Sequence, residues 1–360
     1  MTLTETVILV KKMTPVVVIG GLVMLILGLG FQLTTILISQ QLAGSIAPQT
    51  PSPSPVAPEE QTFGKLPKLE IPNSKPSIGY TWVMDTLDGT PRFKEAVSNA
   101  AVYFIPKKIK SLGFENTIYS MATQVGISST LTPYEEVEDL ATFDDLKRKL
   151  SVDTRSFNFR YDYLITAEDN IIIDQPIGLE PVILSAGASF LQKVGRYPDA
   201  ISSGRTNLLY YRIDPATRDI TPLESSEGAN AVEINYFLKD VDNIPVVTSS
   251  YYGSQNYVFL MKSERDYTPI RASMQHFERS IEQTGRYPLR TPEQAWEDVQ
   301  QGRGIMIGAP QESGEVRIQR VFMAYFDPNV YQEYFQPVYV FLGENRFAVY
   351  VQAIAAEFIQ

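Results

Sequence analysis

Gln336-Pro337-Val338-Tyr339-Val340-Phe341 runs through Gly343-Glu344-Asn345 into Arg346-Phe347-Ala348-Val349-Tyr350-Val351. Both halves are rich in β-branched and aromatic residues, and a short Gly/Asn turn between them reads as a hairpin. Upstream, the segment from Val316 to Tyr325 begins with apolar–polar alternation and supplies a further strand. Ahead of it, Thr291-Pro292-Glu293-Gln294 has the residues of a helix start. Thr291 can cap, Pro292 suits the first helical position, and Gln294 completes a capping box. Ala295, Trp296 and Val299 form an apolar stripe, and Gly302 or Gly304 ends the helix. Residues 269–360 are thus predicted to be one helix laid on an antiparallel sheet, with Trp296 buried between them.

The same order is read twice more toward the N-terminus. In residues 171–268 a helix over 181–194, with Leu184, Ala188 and Leu191 on one face, precedes strands near 207–213, 231–239 and 257–261. In residues 65–170 a leading strand at 100–105 and a helix at 116–125 precede a hairpin. That hairpin, Leu150 to Tyr161, alternates on both sides of an Asp-Thr-Arg-Ser turn. The fold class expected is therefore α+β: tandem helix-plus-antiparallel-sheet units.

These units follow a different kind of segment. From Val16 to Ile38 the chain carries no charge. As a helix that run is about 34 Å long, enough to cross a hydrocarbon core of about 30 Å. Lys11 and Lys12 precede it and the next basic residue is Lys65, an asymmetry that places the N-terminus in the cytoplasm and the rest outside. Residues 1–12 are read as a cytoplasmic tail and 13–39 as a single transmembrane helix in contact with the bilayer through residues 16–38. A cleaved signal peptide is the competing reading, with Ser45-Ile46-Ala47 as its small-residue site. Residues 40–64 form a Pro-rich linker, where Pro51, Pro53 and Pro55 favour an extended polyproline II form.

Composition removes several chemistries. There is no cysteine, so disulfides, thiol chemistry and thiolate metal sites are excluded. The net charge is −10, which argues against nucleic acid as a partner. The aromatic fraction of 11%, with 20 tyrosines, argues for packed structure.

The turn Val152-Asp153-Thr154-Arg155-Ser156, in a helix-then-strands context, resembles the PepSY-type module, although the usual glycine is missing. In tandem behind one anchor, the units resemble extracytoplasmic regulators of the YycH/YycI type. The strand Gln336–Phe341 and its hairpin carry the closest local likeness. The resemblance implies work by protein contact, tuning an enzyme or sensor kinase, and offers no catalytic residues.

The residues themselves point the same way. His276 is the single histidine, so neither HExxH nor a two-histidine zinc site can form. Gly187-Ala188-Ser189-Phe190-Leu191 lacks the second glycine of a nucleophile elbow and reads as helix. Asp240-Val241-Asp242-Asn243 starts like a calcium loop but continues with Ile244 and Pro245, so a hairpin turn explains it better. No cofactor or metal is expected. The candidate binding surface is Tyr251, Tyr252, Gln255, Asn256 and Tyr257, which combine flat rings with amide groups suited to a glycan or peptide. The expected function is a non-catalytic regulatory or scaffold role at the cell envelope, through contact with a membrane or envelope protein. The alternatives are an envelope glycan hydrolase with paired carboxylates, or a glycan- or peptide-binding module.

Overall fold

Thr291 caps the helix Pro292–Gln300 as its residues predict. Its hydroxyl accepts from the Gln294 amide at 3.2 Å, and the Gln294 side chain accepts from the Thr291 amide at 2.8 Å. Two of the orphan donors at a helix start are thereby satisfied. Ala295, Trp296 and Val299 face inward, onto the strands Pro337–Gly343 and Ala348–Gln352. Those strands pair antiparallel, with Tyr339 opposite Val351 and Phe341 opposite Val349, the hairpin read from the sequence.

The computed structural model describes residues 63–360, except 87–88, 92–96, 129, 167–174, 265, 309–313 and 345–346. Residues 59–360 cluster as one compact unit. The expected membrane helix at 13–39 and the linker up to residue 62 lie outside the described residues. Among the described residues no helix is long and apolar enough to cross a membrane.

The α+β fold class of tandem helix-plus-sheet units is corrected here. Strand makes up 39% and helix 15% of the structure, which is mostly β. The sheets are also not local to consecutive stretches of chain. One nine-stranded antiparallel sheet runs from Glu135–Val137 through Phe159–Tyr163, then Tyr267–Met274, and ends at Ile220–Leu223. Segments assigned to the separate first, second and third units thus share one sheet, with Ala272 of the third opposite Tyr161 of the first. A seven-stranded sheet takes Thr81–Met84 as a parallel partner of Glu315–Asp327, and Val246–Thr248 as another. A three-stranded sheet joins Thr284–Pro288, Asn99–Phe104 and Tyr334–Phe335. The reason is physical: alternation fixes which face of a strand is buried but not which strand lies beside it.

Two helices, Phe114–Gln124 and Glu180–Val194, cover one face of the nine-stranded sheet. The second buries Ile183, Gly187, Leu191 and Val194, one step round from the expected Leu184-Ala188-Leu191 face. Gly187 permits the close approach. A Cβ there would stand 2.4 Å from the Tyr236 hydroxyl and 2.5 Å from Ile234. Ser189, in the rejected nucleophile elbow, lies inside this helix. Asp242 and Asn243 adopt φ of 51° and 64°, the consecutive left-handed pair a tight hairpin turn needs. Val241 and Ile244 exchange backbone hydrogen bonds across it at 2.9 and 2.8 Å.

Candidate functional site

Three loops meet at one end of the three-stranded sheet: 105–113, 276–283 and 328–333. Backbone bonds fasten them, from the Ser280 amide to the Phe104 carbonyl at 2.7 Å and from the Ile105 amide to the Glu333 carbonyl at 2.7 Å. The Tyr331 hydroxyl donates to the Ile105 carbonyl at 2.9 Å, and the rings of Phe277 and Tyr331 meet edge to face at 6.0 Å. With the turn 153–157 they enclose a cavity of about 450 Å³.

The turn is built by Asp153. One carboxylate oxygen accepts from the Arg155 amide at 3.0 Å, the Ser156 amide at 2.7 Å and the Ser156 hydroxyl at 2.9 Å. Its left-handed position falls on Phe157, at φ 58°, which is costly for a bulky side chain. That conformation turns a half-buried ring into the lining of the cavity.

The floor is His276 and Arg196. His276 is 4% exposed, and its Nδ1 has no partner among the described residues. Its amide donates to Asn158 Oδ1 at 3.1 Å. Arg196 Nη2 donates to the same oxygen at 3.0 Å and to the His276 carbonyl at 3.1 Å. Burial, and then the Arg196 charge, push the imidazole down to about 4, so it is neutral at pH 7. The cations Lys107, Lys108, Arg155 and Arg196 line the cavity. Lys108 bonds Glu278 at 2.8 Å, and Arg196 approaches the same carboxylate at 3.9 Å. The Lys108 hydrogen bond holds Glu278 below the usual carboxylate range despite its partial burial. Arg155 pairs with Asp139 at 3.1 Å. One end of an acidic chain therefore presents a concave, positively charged surface.

Such a site can bind an anion but is poorly equipped for acid–base work. A glycosidase needs one protonated and one ionised carboxyl facing each other. The carboxylates lining this cavity are Asp153, occupied by three bonds in its turn, and Glu278, held ionised by Lys108. Among the described residues no group of three or more potential metal ligands comes together.

The structure divides the tyrosine-rich stretch. Tyr251 and Tyr252 are half-buried, packed edge to face at 4.8 Å, and Tyr251 lies 6.2 Å from Phe322, away from the cavity. Tyr257 starts the strand Tyr257–Lys262. Gln255 and Asn256 belong instead to a polar chain beneath the cavity. Gln255 Nε2 donates to the Asp327 carboxylate at 2.7 Å, and buried Asn256 accepts from the Gln275 amide at 2.8 Å, next to His276. Sequence reasoning missed Lys107, Lys108, Arg155, Arg196 and Phe157. The run Pro106-Lys107-Lys108-Ile109-Lys110 was a usable signal, being basic in an acidic chain. Nothing local marks Arg196 or Phe157.

Asp327 itself gives a sharp expectation. It is fully buried, and burial pushes its carboxyl well above the usual range, offset only in part by Gln255 and Arg279. A group raised in the fold contributes its stability below its unfolded value, about 3.9, and loses it as pH rises through the folded value. At pH 7 Asp327 is thus a burden that an amide would not be. Asp327→Asn keeps an acceptor for Gln255 Nε2 and adds a donor within reach of the Gln255 side chain, whose Oε1 has no partner among the described residues. Urea melts should show the variant more stable than the native protein at pH 7. The gain should shrink toward pH 4. A variant less stable at pH 7 contradicts this account.

No protein-family model matches the chain, and no curated protein matches it. Seven chains of known structure do. One is an uncharacterised protein from Eubacterium rectale, 12% identical, with a TM-score of 0.33, covering 72% of this chain and 79% of that one. Another is YycH from Bacillus subtilis, 11% identical, with a TM-score of 0.31, covering 70% of this chain and 52% of YycH, so that this chain spans about half the length of YycH. The chain bears a weak structural resemblance to YycH, and the PepSY-type likeness of its turn has no matching family model.

Proposed function

We propose that the protein is a non-catalytic contact module at the cell envelope, with a regulatory or scaffold role exercised by binding another membrane or envelope protein. The apolar run 16–38 and the lysines before it support a location at the membrane with residues 65–360 outside. One observation carries the contact reading. Around the cavity, large apolar side chains stand in solvent on the three fastened loops: Ile109 at 83% exposure, Leu112 at 106%, Ile281 at 82%, Val330 at 44% and Tyr331 at 38%. Burying one such side chain is worth about 1.5–3 kcal/mol, so apolar groups gathered on preorganised loops favour a macromolecular partner. The tyrosine stretch is the weaker surface, because Asn256 is buried and Gln255 is committed to Asp327.

The test is site-specific photo-crosslinking of the full chain in its native membrane. Probes at Ile109 and Leu112 should give a discrete adduct, while a probe at Ile220, also exposed but on the opposite edge strand of the nine-stranded sheet, should not. Adducts at all three positions alike, or at none, would remove the rim as a contact surface.

A further inference from the structure

We infer that the cavity beneath the rim takes an acidic, apolar peptide segment, a stretch in which Asp or Glu alternates with large apolar side chains. This rests on the contact reading above and names its occupant. The first argument is charge. Lys108 and Arg196 share the one carboxylate of Glu278, and Lys107 stands beside them on the same wall. The cations therefore exceed the local anions, in a chain whose net charge is −10 and whose surface elsewhere repels acidic partners. A concave site of one sign focuses that potential on whatever enters it.

The second argument is the mixture of wall types. Phe157, Phe277 and Tyr331 line the same cavity as the cations, with Ile109 at its lip. A free phosphate or a phosphate polymer would use the cations and leave the rings idle. A purely apolar helix would take the exposed Lys107 ammonium out of water and offer it no counter-charge, which is costly. An extended peptide with alternating side chains puts carboxylates on one side and apolar groups on the other. That pattern satisfies both walls at once. Phe157 supports the assignment independently. Its left-handed backbone is a local cost retained at a residue whose ring forms part of the cavity, and such costs concentrate where a surface has work to do.

The third argument is preorganisation. Asn158 fixes Arg196 and the His276 backbone through a single oxygen, and the loops are tied by the bonds from Ser280 and Ile105. Arg196 on this floor is placed before a ligand arrives, which lowers the ordering cost of binding.

The experiment uses detergent-solubilised full chain and a fluorescent peptide alternating Glu with Phe, read by anisotropy. Saturable binding is expected, and it should weaken as salt is raised. The Lys107→Glu, Lys108→Gln double variant, altered only at exposed positions and retaining a donor to Glu278, should bind roughly tenfold more weakly with unchanged melting. A peptide with Gln in place of Glu should lose affinity by a similar factor. Phe157→Asn, which tolerates the same backbone, should weaken binding without abolishing the salt dependence. Equal binding of the Gln peptide, full affinity in the double variant, or displacement by inorganic phosphate as effective as by unlabelled peptide would each overturn the proposal. Crosslinking separates the two claims. A rim adduct that persists in the double variant, with no preference for the acidic peptide, leaves the contact role and removes the acidic occupant. Absence of any rim adduct in the native chain removes both.

Discussion

Trp296→Ala should destabilise the whole of residues 63–360, by about 3–5 kcal/mol. The indole is 8% exposed and stacks on Phe341 at 5.7 Å with the rings 29° apart. Its neighbours in the core are drawn from distant parts of the chain: Trp82 and Met84, Val316 and Ile318, Phe347 and Val349. A cavity left by the ring cannot be closed by one local shift, because its lining comes from elements far apart in the chain. Thermal melting followed by circular dichroism should show one cooperative transition moved down by on the order of 10 °C. A two-step melt, with a C-terminal piece unfolding first, would restore the picture of separable tandem units. An unchanged melt would mean that the ring lies on the surface.

Gly204→Ala should be of similar severity, about 3 kcal/mol, for a different reason. A Cβ on Gly204 would lie 1.8 Å from the Phe237 carbonyl oxygen and 3.0 Å from the Leu238 carbonyl carbon. Both obstacles are backbone. They are held in place by the bond from the Phe237 amide to the Arg205 carbonyl at 3.0 Å and by the ladder between Thr206–Ile213 and Ala231–Tyr236. The Arg205 guanidinium also sits over the Phe237 ring at 4.1 Å, so the segment cannot swing aside without losing that contact. Gly195→Ala is the comparison. Gly195 has φ +84°, but a Cβ there would meet nothing within 4 Å, so its cost is conformational alone, about 1 kcal/mol. Urea midpoints should rank the two variants in that order. The reverse order would show that the crossing at Phe237 is looser than described.

What could be read in advance was whatever the chain decides locally. Thr291 and Gln294 sit three residues apart, and their reciprocal bonds need nothing from the rest of the molecule. The same holds for the 338–352 hairpin and for the Asp242–Asn243 turn. The parallel pairing of Thr81–Met84 with Glu315–Ile318 had no local signature, and neither did that of Val246–Thr248 with Tyr325–Asp327. Missing these long-range ladders turned one interlocked β structure into three imagined units. The cavity was illegible for the same reason. His276 is buried, and its backbone is tied to Asn158 and Arg196, residues far from it in sequence. Gln255 and Asn256 were singled out for their amide groups. Those amides serve the interior, which a list of residue types cannot distinguish from a surface.

The ladders between the two ends of the chain also govern how it can be made. Leu66 bridges Ile359, its amide donating to the Phe358 carbonyl at 2.8 Å, and Thr81–Met84 waits for Glu315–Asp327. On a ribosome these early strands emerge long before their partners exist. Their unpaired edges, and apolar side chains such as Trp82 and Met84, stay available to other chains for most of synthesis. Contacts this distant in sequence close slowly and favour aggregation meanwhile. Pairings this distant make the route to the fold, and not only the finished fold, a constraint on the sequence.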